Sequence, residues 1–403
     1  MNKSSFFSGQ PVFGQLVNLI PVSLVRSLVR KYNTDHYYKT FRTWDHLVTM
    51  LYASFHDCGS LREVTSGLQA HYNKLDHLRL KNVPRRSTLA DANGKRDVRF
   101  FEDLYHQMYL MHYRSLPDSR RKRSKEERLF IMDSTTVTLF SDIMKGAGTL
   151  GANGKKKGGA KAHILLEAKN DLPALIYLSH GSQNDRIFMP QVKLPPTSIL
   201  VFDKGYHKFS QWESWHLQGI NWVTRLNNVE VYEVLQNKEV SELEESRGVK
   251  QDQVILLGRG TNASTHRIRV RLVTYYDEDQ KKEFEFLTNN LRFNASTIAS
   301  FYKSRWQIET FFRKFKQTSP VKYFLGDNEN AVKIQLWVAF IKHLLLKIIK
   351  DKLKRKWSFA NLSSMVRHHL MNYIRLIKFL NEPEKALLRH IKQQQNLQAE
   401  LFP

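Results

Sequence analysis

Cysteine is almost absent: Cys58 is the single thiol in 403 residues. No intramolecular disulfide can form, and no multi-cysteine zinc site is possible. Long apolar runs are missing too. The most apolar segment, Leu336 to Ile349, is interrupted by Lys342, His343 and Lys347 and is too short to span a bilayer. The first ten residues hold no apolar run of signal-peptide length. Acids are scarce: 38 Asp plus Glu face 63 Lys plus Arg, a formal charge of +25. These absences predict a protein with no membrane partner that works in a reducing compartment, cytoplasmic and nucleoid-associated if the host is a prokaryote.

What is present points to a polyanion. The cationic excess is spread along the chain, and such a field attracts phosphate-rich partners and speeds encounter with them. Aromatic residues make up 12% of the sequence, which adds ring faces to the charge and favours nucleic acid over a merely basic soluble protein.

Residues 1 to about 115 read as helical. Leu16, Ile20, Leu24 and Leu28 recur every four residues, with Pro21 as an interruption. Thr43 to Phe55 is amphipathic with Thr43 as its expected N-cap, and Ser60-Leu-Arg-Glu63 fits a capping box after Gly59. Pro84-Arg-Arg-Ser-Thr88 precedes another helix from about Leu89. Short helices with basic starts suit a helix-turn-helix DNA reader, and a bundle that only packs is nearly as good a description. Residues 114 to 128, centred on Arg120-Arg-Lys-Arg123, read as a basic linker.

From Arg128 the period changes. Leu129 to Asp133 is a short apolar strand ending in an acid, and Thr135 to Phe140 a second strand. Gly146 to Lys161 reads as a loop. Ala162 to Ala168 and Leu172 to Ser179 form a strand pair around Lys169-Asn-Asp171. A short helix over Asp185 to Lys193 leads to Ser198-Ile-Leu-Val-Phe-Asp203, a buried strand again ending in an acid. Lys208 to Gln218 suits a helix and Ile220 to Arg225 a strand. Residues 227 to about 290 are strand-rich, and the portion from about Asn328 is helical.

The chemistry concentrates in three acids. Ligands bind beyond the carboxyl ends of strands in open α/β sheets, so Asp133 and Asp203 meet in one crevice if their strands are neighbours. Glu309 lies on a later helix. Tyr302, Arg305, Glu309 and Lys316 are spaced by 3, 4 and 7 residues and share one helical face, an acid among cations and a ring. Three carboxylates without His or Cys make a hard oxygen site suited to Mg²⁺ or Mn²⁺, and two such ions serve in-line phosphoryl transfer. Each acid alone also reads as a turn or cap residue. Asp142, Asp171 and Asp185 compete, but capping explains them, and His163 reads as structural or DNA-contacting.

Over roughly 125 to 320 the chain resembles the DDE transposases of the insertion-sequence-four family. The likeness rests on Asp133 in Ile-Met-Asp-Ser-Thr, Asp203 in Phe-Asp-Lys-Gly-Tyr, and a Tyr-x2-Arg-x3-Glu-x6-Lys signature at Tyr302, Arg305, Glu309 and Lys316. It implies an α+β fold: a ribonuclease H-like mixed sheet flanked by helices, with a β-rich insertion. It implies that Asp133, Asp203 and Glu309 bind two Mg²⁺ ions, with Mn²⁺ able to substitute. It implies that Tyr302, Arg305 and Lys316 contact DNA, and that transposition runs through cleavage and strand transfer, often with a hairpin at the element end. The first 75 or so residues look like a helical domain often fused to these enzymes.

The expected organisation is a helical DNA-binding domain over 1–115, a catalytic domain over 120–330 with its insertion at about 227–290, and a helical region over 331–403. Partners are double-stranded DNA, as element terminal repeats and target, and a second copy of the chain. Ile334, Val338, Ile341, Leu345 and Ile348 form an apolar seam able to pair helices in a homodimer or to pack on the chain's own core. A metal-dependent nuclease on the same fold, or a domesticated non-catalytic DNA binder, stays open on residues alone.

Overall fold

A computed structural model describes residues 9–113, 128–138, 159–227, 230–258, 267–319, 325–326, 328–385 and 388. The basic linker, Asp142 and most of the Gly/Lys-rich segment lie outside them. The chain divides into two compact units, Met1–Arg114 with Lys314–Pro403, and Ser115–Arg313.

The first unit is helical. Pro21 does interrupt the opening stripe: α1 (Val12–Val17) ends before it and α2 (Val22–Tyr32) starts after it. Next, α3 covers Thr43–His56. Its N-cap is Arg42, not Thr43, because the Thr43 hydroxyl is bonded to Thr34 and Asp35 while Asp45 reaches back to the Arg42 N–H. The expected capping signal before α4 (Leu61–Ala70) forms. Ser60 Oγ accepts from the Glu63 N–H, and the Glu63 carboxylate accepts from the Gly59 N–H. Then come α5 (Arg86–Lys95), starting three residues before the sequence suggested, and α6 (Arg99–Tyr113).

The described residues of the second unit build one nine-stranded mixed sheet with helices on it. In chain order its strands are β1 (Leu129–Thr138), β2 (Gly159–Glu167), β3 (Leu172–His180), β4 (Ile199–Phe202), β5 (Asn221–Arg225), β6 (Tyr232–Asn237), β7 (Val249–Leu257), β8 (Ile268–Asp277) and β9 (Lys282–Thr288). Their order is β3-β2-β1-β4-β5-β9-β8-β7-β6. Strands β1 to β3 are antiparallel, and β1, β4 and β5 run parallel. That half is the ribonuclease H-like arrangement. The strand-rich insertion joins the same sheet through the β5–β9 pair.

Side-chain alternation gives the sheet two buried faces. Met132, Leu200, Phe202 and Trp222 point to the face covered by α7 (Phe209–Leu217), where Trp212 and Trp215 pack. Leu129, Ile199, Val201 and Val223 point to the other face, covered by α9 (Ala295–Lys303) through Ile298, Ala299 and Tyr302. The helix α8 (Glu242–Glu245) is one turn, and α10 (Trp306–Thr318) runs on past the end of this unit.

Two expectations need correction here. Asp133 is not at a strand end: β1 is continuous from Leu129 to Thr138, because pairing with β2 carries it through the Asp-Ser step that reads locally as a turn. The signature is not on one helix. Tyr302 lies in the last turn of α9, which ends at Lys303, and the backbone tightens to i→i−3 bonds at Arg305, Gln307 and Ile308 as α10 begins. Ser304 Oγ takes the Ser300 carbonyl, a local bond that competes with the helix.

The chain returns to the helical unit with α11 (Glu329–Asp351), α12 (Phe359–His368) and α13 (Leu376–Asn381). The long α11 packs on α3, α5, α6 and α12. Its seam of Ile334, Val338, Ile341, Leu345 and Ile348 is buried within this unit, so a partner's helix has no access to it. Among the described residues no helix is long and apolar enough to cross a membrane.

Candidate active site

The parallel pair β1–β4 sets the site. Its last rung is Met132 opposite Phe202, so Asp133 and Asp203 follow side by side on the face that α9 covers. After Asp203 the chain turns, with the Tyr206 N–H on the Asp203 carbonyl. Gly205 does not adopt positive φ there, and a methyl group on it would meet Asp203 only at an ordinary 3.9 Å. Its contribution is an N–H 3.5 Å from Asp203 Oδ2.

The signature residues close over these acids. The Tyr302 hydroxyl donates to Asp203 Oδ1 at 3.3 Å. Arg305 lies between the other two: Nη1 is 3.3 Å from Asp133 Oδ2 and Nη2 is 2.6 Å from Glu309 Oε1. The Ser134 N–H donates to Asp133 Oδ1 at 2.8 Å. Gln307 ties the start of α10 to the β2–β3 turn through the Ala168 carbonyl. Asp133, Asp203, Glu309, Tyr302 and Arg305 are therefore brought together. Lys316 is exposed on the last turn of α10, in the helical unit.

Electrostatics follow from this crowding. Burial pushes the Asp133 carboxyl up to about 6. The Ser134 N–H and Arg305 oppose the rise, and the charges of Asp203 and Glu309 add to it. Burial and Asp203 push the Tyr302 phenol up to about 12. For Arg305, burial works against the charged form, but Tyr302, Glu309 and Asp133 outweigh it and hold the guanidinium above its ordinary value.

The donor set is oxygen only, which suits a hard divalent cation. Among the described residues no three acidic, His or Cys side chains converge as a cage, because the Arg305 guanidinium is wedged between Asp133 and Glu309. The guanidinium lies between the two carboxylates and offsets their mutual repulsion.

Each unit carries one further feature. Beside the acids, a pocket of about 330 Å³ is lined by Arg225, Phe284, Tyr302, Lys303, Arg305 and Trp306, with Arg225 over the Phe284 ring. In the helical unit, a groove of about 590 Å³ runs between α2 and the start of α3. Its floor includes Val25, Val29 and Trp44, and its cations are Arg26, Arg30, Arg42 and Arg79. Its acid, Asp35, is taken up by the Thr43 N–H and hydroxyl. Neither feature has a sequence motif, since each joins residues from several elements.

His163, read as structural or DNA-contacting, is fully buried against Phe188, with Nε2 on Ser179 Oγ, and burial pushes its pKa down to about 4. It has no access to DNA.

Residues 124–345 match the transposase DDE domain. The chain belongs to the DDE transposase family. Its function is DNA transposition, and enzymes of this family generally use divalent metal ions. Residues 8–81 match a domain of unknown function (DUF4372). The transposase is similar to the putative transposase y4zB of Sinorhizobium fredii, at 30% identity over 267 residues, 66% of this chain and 71% of that protein. It is also similar to a probable transposase for insertion sequence element IS5377 of Geobacillus stearothermophilus. There the identity is 30% over 240 residues, 59% of this chain and 61% of that protein. A cryo-EM structure of a piggyBac transposase synaptic complex with hairpin DNA aligns over 94% of this chain and 83% of that one, with a TM-score of 0.43 and 13% identity.

Proposed function

We propose that Asp133, Asp203 and Glu309 are the catalytic, metal-holding acids of this transposase and that it both cleaves element ends and joins them to target DNA. The observation that carries the reading is the sharing of one guanidinium by Asp133 and Glu309, with Asp203 held by Tyr302 next to them. The three carboxylates would hold two Mg²⁺ ions, or Mn²⁺. Such ions, when bound, neutralise charge on the attacking and leaving oxygens of a phosphoryl transfer. Arg305 swings from the carboxylates to a phosphate as the site loads, Tyr302 keeps Asp203 oriented, and Lys316 grips the backbone of the element end. Cleavage frees a 3′ hydroxyl, and that hydroxyl attacks a target phosphodiester, releasing its 3′ oxygen.

The helical unit supplies the grip on DNA. Its groove presents Arg26 and Arg30 one helical turn apart, with Arg42 and Arg79 across from them, a spacing suited to successive phosphates. Joining two ends requires two active sites, so the working form is a homodimer on DNA at the nucleoid. Its contact lies outside the buried α11 seam.

The test uses the full chain, Mg²⁺ and a labelled element-end duplex. Asp133→Ala, Asp203→Ala and Glu309→Ala should each bind the duplex yet neither cut nor join it. Full cleavage by any one of them removes that acid from the site. Cleavage by the natural chain without joined products would make it a nuclease. Arg26→Glu with Arg30→Glu should weaken duplex binding and flatten its salt dependence by about two phosphate contacts.

A further inference from the structure

The sequence explains Asp185 as a cap, but the structure gives that duty to its neighbour: Asn184 Oδ1 accepts from the Arg186 N–H at 3.0 Å. The Asp185 carboxylate turns to the sheet instead. Its Oδ1 accepts from Ser134 Oγ at 2.7 Å and from Lys161 Nζ at 3.1 Å, with His163 Nδ1 at 3.6 Å. The β1–β2 register explains why two donors and the His163 ring converge on it. Ser134 stands opposite His163 and Thr136 opposite Lys161, and residues two apart share a face. This face is the one opposite to Asp133.

The location of the tether is what gives it a role. β1 is flanked by β4 only as far as Met132, while its pairing with β2 continues to Thr138. Among the described residues, β1 has a hydrogen-bonded strand neighbour on one side only from Asp133 onward. Asp133 is thus the first residue of an edge, and edges open locally more easily than strands paired on both sides. The Asp185 bond anchors the very next residue, and the Ser134 N–H is itself bonded to the Asp133 carboxylate. Lateral restraint lost with β4 is replaced from the opposite face.

The geometry points to Asp185 as a positioning residue that fixes the Asp133 carboxylate through Ser134. This rests on the reading of Asp133 as a metal-holding acid. Asp185 does not touch the reacting atoms; it determines how well Asp133 is aimed. The competing account is that Asp185 only neutralises Lys161, whose side chain is 14% exposed.

The experiment measures Mn²⁺ binding to the metal-free full chain by calorimetry, without DNA, alongside thermal melting and cleavage. Asp185→Ala should weaken Mn²⁺ binding about 10–100-fold, the range for losing an outer partner of a ligand. Raised Mn²⁺ should restore part of its cleavage. Asp185→Asn, whose amide oxygen can still accept from Ser134 Oγ, should retain most of the affinity. Ser134→Ala, which leaves Lys161 and His163 with their acid, should shift it in the same direction as Asp185→Ala. It also keeps the test decisive if Asp185→Ala does not fold. Natural Mn²⁺ affinity in Ser134→Ala, with Asp185→Asn as impaired as Asp185→Ala, would assign Asp185 to Lys161 and overturn the inference. So would a lowered melting point with unchanged Mn²⁺ affinity in Asp185→Ala. Asp133→Ala is the control. If it binds Mn²⁺ like the natural chain, the site reading fails; if it loses binding while Asp185→Ala does not, only the positioning role fails.

Discussion

Two arginines in the sheet unit meet carboxylates in opposite ways. Arg271 on β8 is 2% exposed and clasps Asp252 of β7 with Nε and Nη2, at 2.7 and 2.6 Å, while Nη1 is satisfied by the Phe293 carbonyl. It forms a closed pair. Arg305 instead divides one guanidinium between Asp133 and Glu309, and its Nε is buried without a hydrogen-bond partner among the described residues. A closed bidentate pair has nothing left to offer a ligand. An arginine shared by two acids that also repel each other can be exchanged for another cation. The same residue types thus make a closed pair in one place and a shared, incompletely satisfied one in another.

The largest expected effect tests the open side. Replacing Asp133, Asp203 or Glu309 by Ala should lower cleavage by at least about 10⁴-fold, roughly 5.5 kcal/mol of barrier, with the melting temperature almost unchanged. A parallel fall in melting temperature would make these acids struts like Asp252. The next effect tests the closed side. Arg271→Ala strands a buried carboxylate and should cost about 3–5 kcal/mol in denaturant unfolding, with cleavage per folded molecule intact.

Closed polar sites should also carry the pH dependence of stability. His46 is fully buried with Nε2 2.6 Å from Asn93 Oδ1, and burial, then Arg96, pushes its pKa down to about 3. Burial, with Lys314 and Lys347 adding, lowers His343 to about 3 as well. The unfolded chain takes up protons near pH 6.5 that the folded chain refuses until about pH 3. Stability is therefore full above pH 6.5 and is lost as pH falls through that window, by about 2 kcal/mol for each histidine at pH 5. Urea midpoints that do not change between pH 7.5 and pH 5 would contradict this.

Legibility in the sequence followed how local each feature is. The hairpin at Lys169–Asp171, the buried strand before Asp203 and the Arg305–Glu309 pair are written in contiguous residues, whereas the break between α9 and α10 that separates Tyr302 from Glu309 is not. Asp133 was misplaced at a strand end because Asp-Ser reads as a turn until β2 pairs beside it. The insertion's strands were readable, but their entry into the catalytic sheet through β5–β9 depends on a register some 60 residues apart. The burial of the α11 seam depends on α3 and α6, which lie more than 200 residues earlier in the chain. Asp185 was hidden for the same reason. Its partners come from β1 and β2, and only their register puts Ser134 and Lys161 on one face.

The smallest expected effect is the sharpest on the comparison itself. Removing Arg305 should hardly touch stability, within about 1 kcal/mol, because its two ion pairs are partly solvated and one is an i,i+4 pair at the start of a helix. Arg271→Ala, by the same measurement, should be several-fold worse. In activity the order reverses. If Arg305 moves onto a phosphate, Arg305→Ala loses one charge-assisted hydrogen bond in the loaded complex, about tenfold or 1.4 kcal/mol in kcat/KM for cleavage. Mn²⁺ binding to the metal-free chain should not weaken, since the variant removes a cation that competes for Asp133 and Glu309. Arg305→Lys should restore part of the cleavage, because one ammonium can replace the charge but not span both carboxylates or fork onto a phosphate. An Arg305→Ala protein that loses as much stability as Arg271→Ala and binds Mn²⁺ less tightly would show that its guanidinium is a strut after all, and the distinction between closed and open pairs would fail at the place where it matters.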